Sequence, residues 1–159
     1  PWTTRPLAIK LHCRYTTSNI DIIGKKMPPG VTLTKADHDR AQIKVALGTW
    51  DYRTYGGSKD SPVHINTTDA STFVDFSKDP CTIANGDLII HKDGYILNGA
   101  SMVDASTWEW AEYTIPLNYR DLETLPTHII VSCAASQYGD YFTGCSSSKL
   151  WIDAVELIY

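Results

Sequence analysis

Between residues 7 and 15 the chain reads LAIKLHCRY, which sets Leu7, Ile9, Leu11, Cys13 and Tyr15 at every second position. Successive side chains of a strand point to opposite faces, so this spacing describes an extended segment with one face turned to a core. AQIKVALGTW at 41–50 repeats it with Ile43, Val45 and Leu47. Further strand candidates are VHINTT at 63–68, GDLIIHK at 86–92, EWAEYTIPLNY at 109–119, THIIVSCAAS at 127–136 and KLWIDAVELIY at 149–159. Turn signals separate them: Met27-Pro28-Pro29-Gly30, Gly56-Gly57-Ser58, Asn85-Gly86, Asp93-Gly94, Asn98-Gly99 and Tyr138-Gly139-Asp140. The helical periodicity of an α/β fold is missing, and at most a turn or two is expected at Ala70 to Asp75 and at Asp104 to Thr107. Many strands at regular turn spacing predict an all-β fold, an antiparallel β-sandwich of the jelly-roll kind.

Bulk properties narrow the function classes. With 159 residues, 43% of them hydrophobic, the chain is expected to fill one core and form one domain over 1–159. A net charge of −4 leaves no basic footprint, so no nucleic acid partner is expected. No apolar run approaches the roughly 20 residues that span a bilayer, and no signal peptide is seen. The chain opens at Pro1 already leading into a strand, and the expectation is a trimmed piece of a longer protein whose other domains are candidate partners. Cys13, Cys81, Cys133 and Cys145 lack metal-type spacing, which argues against zinc. They could close two disulfides in an oxidising compartment, in three connectivities, but Cys13 and Cys133 sit inside hydrophobic strands and read as small buried apolar groups.

The run from Ser136 to Tyr159, SQYGDYFTGCSSSKLWIDAVELIY, places aromatics, glycines and a Ser tract between two hydrophobic strands, the layout of a hairpin with a long loop. Tyr138-Gly139-Asp140-Tyr141-Phe142-Thr143-Gly144, Ser146-Ser147-Ser148, Leu150 and Asp153-Ala154-Val155-Glu156-Leu157 together resemble the C-terminal signature of the putative carbohydrate metabolism domain family. Thr4-Arg5-Pro6, Asp37 and Asp39 before an apolar strand, and Thr114-Ile115-Pro116-Leu117-Asn118-Tyr119 extend the resemblance over the whole chain. It departs from the family pattern at Cys145, where a second glycine is common, and at Ala154, where a second aspartate is common. The resemblance implies a carbohydrate-binding-module-like jelly roll of bacterial surface or exported proteins, with N-terminal strands that this chain lacks, and a role in glycan handling outside the cell.

Sugar rings stack their C–H faces on aromatic side chains and bond their hydroxyls to carboxylates, amides and guanidinium groups. Two clusters offer both kinds of group: Trp50, Asp51, Tyr52, Arg53 and Tyr55 after the second strand, and Tyr138, Asp140 and Tyr141 with Phe142 in the signature. Trp108 and Trp110 form a weaker pair on one face of a strand. Against these stands a structural role: Tyr141 and Phe142 hold a turn in which Gly139 and Gly144 need positive φ, and Trp151 packs. The resemblance to carbohydrate-binding jelly rolls also raises a structural calcium held by Asp153 with Asp37 or Asp39, and no other cofactor is expected. Glycoside hydrolysis would need two carboxyl groups across a cleft, with Asp140 and Asp153 or Glu156 as candidates, yet none is placed in an apolar pocket by the sequence. The five histidines have no catalytic or metal spacing, and Asn66-Thr67-Thr68 matches a glycosylation sequon. Binding of a glycan is therefore the leading reading, with a ligand-free structural or adhesion module and a hydrolase as alternatives.

Overall fold

A computed structural model describes residues 3–53, 55–61 and 69–159; the strand candidate at 63–68 and the Asn66 sequon lie outside the described residues. The strands are β1 (Ala8–Thr16), β2 (Ala41–Gly48), β3 (Thr82–His91), β4 (Gly94–Leu97), β5 (Val103–Asp104), β6 (Ala111–Pro116), β7 (Asn118–Tyr119), β8 (His128–Ala134) and β9 (Lys149–Ile158). One sheet has the order β6-β1-β9, the other β5-β4-β3-β2-β8, with β7 also pairing β3. All these pairings are antiparallel. Among the described residues β1 pairs with β9, β2 with β8 and β3 with β7, the nested arrangement of a jelly-roll sandwich.

The alternation in β1 does what its spacing requires. Ile9, Leu11, Cys13 and Tyr15 are buried against Ile43, Val45 and Leu47 of β2 and Leu88 and Ile90 of β3, and each fully buried large aliphatic side chain contributes roughly 1.5–3 kcal/mol. Leu7 leaves the pattern because β1 begins one residue later, and its side chain is exposed. Gly86 is not in a turn: Asn85 and Gly86 lie inside β3, and a Cβ on Gly86 would stand 2.6 Å from the Pro116 carbonyl oxygen, so glycine is what lets the two sheets approach there. The Asp93-Gly94 signal is a hairpin, with His91 opposite Gly94 across Lys92 and Asp93.

Four other expectations are corrected. The run 109–119 is two strands in different sheets, β6 beside β1 and β7 beside β3, because the chain crosses the sandwich at Pro116 and Leu117. Trp108 and Trp110 precede β6 and are exposed. Asp104 belongs to β5 rather than to a helical turn, whereas Ala70–Thr72 does form one turn of 3-10 helix. Finally, β8 and β9 are no hairpin: β8 bonds to β2 and β9 to β1, so the signature run carries the chain from one sheet to the other.

β9 carries a bulge. Lys10 faces Glu156 and His12 faces Asp153, which leaves Ala154 and Val155 opposite Leu11. Ala154 sits there at φ 51, a conformation that aspartate, asparagine or glycine adopts at less cost. The four cysteines are unbridged thiols; Cys13 is buried as expected, but Cys133, on the edge strand β8, is exposed.

Candidate functional site

The 50–55 cluster begins where β2 ends. Trp50 lies over Gly48, where an added Cβ would come within 2.6 Å of the indole, and its ring packs against Phe76 at 5.7 Å between centroids. Asp79 organises the group. Its Oδ1 accepts from Trp50 Nε1 at 3.0 Å and from the Cys81 backbone N–H at 2.9 Å, and its Oδ2 accepts from the Tyr55 hydroxyl. Burial first, and then the Asp79 carboxylate, pushes the Tyr55 hydroxyl up to about 12. Arg120 holds the backbone of this turn, donating to the carbonyls of Asp79 and Thr82 at 2.6 and 2.5 Å. Asp51 closes on Arg53 through the backbone N–H and two guanidinium nitrogens, at 2.7, 3.1 and 2.7 Å, and the guanidinium lies 5.2 Å from the centre of the Tyr52 ring. Trp50 is partly buried, while Tyr52 and Tyr55 are 46% and 50% exposed. Two tyrosine rings thus stand in solvent on anchored bases.

The signature loop is built differently. Gly139–Tyr141 form one 3-10 turn, and the positive φ after it, 54°, belongs to Phe142 rather than to Gly139 or Gly144. Gly144 is required by space: a Cβ would stand 2.4 Å from Ser136 Oγ and 3.1 Å from Asp39 Oδ2. Asp39 is the buried centre of the loop. Its Oδ2 accepts from Ser136 Oγ at 2.5 Å, the Cys145 N–H at 2.8 Å and Ser148 Oγ at 2.9 Å, and its Oδ1 accepts from the Arg40 N–H at 2.8 Å. The loop docks further on the 19–27 segment: Gly144 bridges Ile22, Asp21 accepts from the Ser146 N–H at 2.8 Å, and Thr143 Oγ1 accepts from the Gly24 N–H at 2.9 Å. Tyr141 meets Phe73 edge-on at 5.3 Å, Tyr138 is partly buried, and Asp140 and Phe142 are exposed. The loop is chiefly a structural clasp, and its aromatics are joined to the first cluster through the segment holding Phe73 and Phe76.

The carboxylates considered for calcium do not fit a hard cation, which takes six to eight oxygens. Asp39 is saturated by N–H and O–H donors; Asp37 is closed on the Thr34 N–H and hydroxyl at 2.7 and 2.8 Å, donors that hold its carboxyl below the usual range. Asp153 is exposed on β9 and accepts from the Ala154 N–H at 2.7 Å. Among the described residues no group of three or more acidic, histidine or cysteine side chains is placed to hold a metal. Of the three carboxylates considered for hydrolysis, Asp140, Asp153 and Glu156, the last is taken by Lys10 at 2.7 Å. Trp151 is exposed rather than packed into the core, with the Arg14 guanidinium 5.2 Å from its ring.

The alternation in β2 and β3 holds one more group that the sequence reading passed over. Gln42 and Lys44 of β2 and Asn85 and Asp87 of β3 lie on the outer face of the larger sheet, Lys44 directly opposite Asp87. With Asp75, Phe76 and Ser77 they line a groove of about 220 Å³. Gln42 Nε2 donates to Asp87 Oδ1 at 2.8 Å. Burial raises the Asp87 carboxyl above its ordinary range, against the pull of Gln42 and Lys44. The folded protein therefore keeps this proton to higher pH than the unfolded chain does, and stability falls as pH rises through the window between the two values. Asp87→Asn is expected to raise the melting temperature at pH 7 by on the order of 2 °C and to give no gain near pH 3, where both states are protonated; a lower melting temperature at pH 7 would sink this account. No helix among the described residues is long and apolar enough to cross a membrane.

A family model described as "putative carbohydrate metabolism domain" matches residues 1–158. A structure from Bacteroides thetaiotaomicron VPI-5482, described as a putative glycoside hydrolase, is similar at 18% identity and a TM-score of 0.58, covering 100% of this chain and 39% of that one. A second, from Bacteroides vulgatus ATCC 8482 and described in the same words, is similar at 19% identity and a TM-score of 0.47, over 98% of this chain and 54% of its own. The chain thus spans well under two thirds of both solved structures. No curated protein matches the sequence.

Proposed function

The chain belongs to the putative carbohydrate metabolism domain family, and from that premise we propose that it is a carbohydrate-binding module, acting outside the cell where polymeric glycans are met. One observation carries the reading: Tyr52 and Tyr55 are half exposed although their neighbours pin them, Tyr55 through Asp79 and Tyr52 beneath Arg53. Rings fixed in advance lose little conformational entropy when a sugar face settles on them. Asp51 and Arg53 offer acceptors and donors at the rim for ring hydroxyls. Small polar ligands bury little apolar area, so dissociation constants are expected in the roughly micromolar to millimolar range.

Binding is preferred to bond cleavage because the acidic residues at the platform are committed. Asp51 is paired with Arg53, and Asp79 is held by Trp50 and Tyr55. The hydrolase description belongs to a chain of which this one covers 39%. A glycan array followed by titration calorimetry tests the reading. The double variant Tyr52→Ala/Tyr55→Ala is expected to weaken binding at least tenfold, about 1.4 kcal/mol, with an unchanged unfolding midpoint. Undiminished binding by that variant would remove the platform from the site.

A further inference from the structure

We propose that the groove on the outer face of β2 and β3 is a second sugar subsite continuous with the tyrosine platform, so that the protein grips an internal stretch of an oligosaccharide rather than a single terminal unit. The inference rests on the carbohydrate-binding reading above and adds to it the length and the chemistry of the ligand.

Continuity comes from the segment 75–79. Phe76 packs its ring on Trp50 and also lines the groove, while Asp79, three residues on, holds Trp50 and Tyr55. A chain of sugars leaving the tyrosines over this segment therefore meets the groove next. Size follows from its volume of about 220 Å³, below the roughly 300–1,000 Å³ of clefts that take drug-sized ligands. That is room for a single ring.

The lining states what kind of ring. Lys44 and Asp87 are cross-strand partners and both line the groove, so one wall brings an ammonium donor and the other a carboxylate acceptor. Neighbouring hydroxyls on a sugar each both donate and accept, so such a pair can take one hydroxyl as donor and the next as acceptor. Gln42 holds Asp87 by Oδ1, and Asn85 and Ser77 add further polar groups on the two walls. Phe76 provides the apolar surface against which a C–H face rests. The Asp87 carboxylate also lies where burial works against its charge, a cost that a site for ligand hydroxyls would explain.

The test uses the whole chain and malto-, cello-, xylo- and manno-oligosaccharides from disaccharide to hexasaccharide, measured by calorimetry. In at least one series, wild-type affinity is expected to rise tenfold or more between disaccharide and tetrasaccharide. Lys44→Ala/Asp87→Ala should abolish that rise and leave disaccharide affinity within twofold. Lys44→Met alone, which leaves the Gln42 to Asp87 bond in place, should remove part of the rise and guards against a folding defect in the double variant. A rise that survives both variants, or wild-type affinity that is flat with length, overturns the subsite. If the disaccharide still depends on Tyr52 and Tyr55 in that case, the platform stands without the groove. Failure of the wild-type protein to bind any of the four series overturns both.

Discussion

Asp39→Ala is expected to lower the free energy of unfolding by about 3–5 kcal/mol, the range for removing one partner from a buried charged network. Asp39 is buried, and three donors converge on its Oδ2: the hydroxyls of Ser136 and Ser148 and the Cys145 N–H. Alanine would leave all three without an acceptor in a space that Gly144 already crowds. Asp39→Asn keeps the shape but turns an amide N–H₂ toward a set of donors whenever it offers its oxygen to the Arg40 N–H, so it should be destabilising as well. Urea titration followed by tryptophan fluorescence gives the measurement. A midpoint that moves by less than the equivalent of about 0.5 kcal/mol, the scatter of ordinary surface substitutions, would mean that the loop is held by something else.

Asp79→Ala is expected to reduce glycan affinity about tenfold or more, as far as the tyrosine double variant does, although Asp79 itself is no ligand contact in this reading. It is a positioning residue. Without it the Tyr55 hydroxyl, Trp50 Nε1 and the Cys81 N–H lose one shared acceptor, and the platform is free to take other rotamers. Loss of stability alone would not separate this from a general structural effect, so the conservative variant decides. Asp79→Asn can still accept from Trp50 and Cys81 at Oδ1 and donate from its amide to the Tyr55 oxygen. It should recover most of the affinity. An asparagine variant as weak as the alanine one, with normal unfolding, would show that the charge of Asp79 acts on the ligand directly.

The strands were legible wherever alternation and length agreed. Ile9 to Tyr15 and Ile43 to Leu47 showed their buried faces because a half-buried strand leaves a period of two in the sequence. That same period could not show that the run through Pro116 changes sheets, since β6 and β7 continue one alternation while bonding to different partners. The hairpin expected around the signature failed for a related reason. What turns the chain toward the other sheet is Asp39, whose bonds reach across 97 residues to Ser136 and 109 to Ser148. Nothing local to the loop announces a partner so distant.

The candidate site was legible as a composition and not as a construction. Tyr52 and Tyr55 stood out as aromatics on a loop after a strand, and they are exposed; the carboxylate that fixes Tyr55 lies 24 residues further along, in a stretch with no signal of its own. The positive φ expected at Gly144 is not there; what requires glycine is its proximity to Ser136 and Asp39. The groove had a readable trace: Gln42 and Lys44 in one central strand and Asn85 and Asp87 in the next are polar on the face away from the core. Only the pairing of β2 with β3 brings those two traces together.

The pairing of β1 with β9 sets the order of events in time. Ala8 lies opposite Ile158, so the small sheet cannot close on that side until the chain through Ile158 has been made, and β1 emerges long before that neighbour exists. Loop closure over such separations is slow, which places this topology among the millisecond-to-second folders rather than the microsecond ones. A nascent chain halted before Lys149 would hold β1 with one edge open, offering its backbone to any other extended strand in reach.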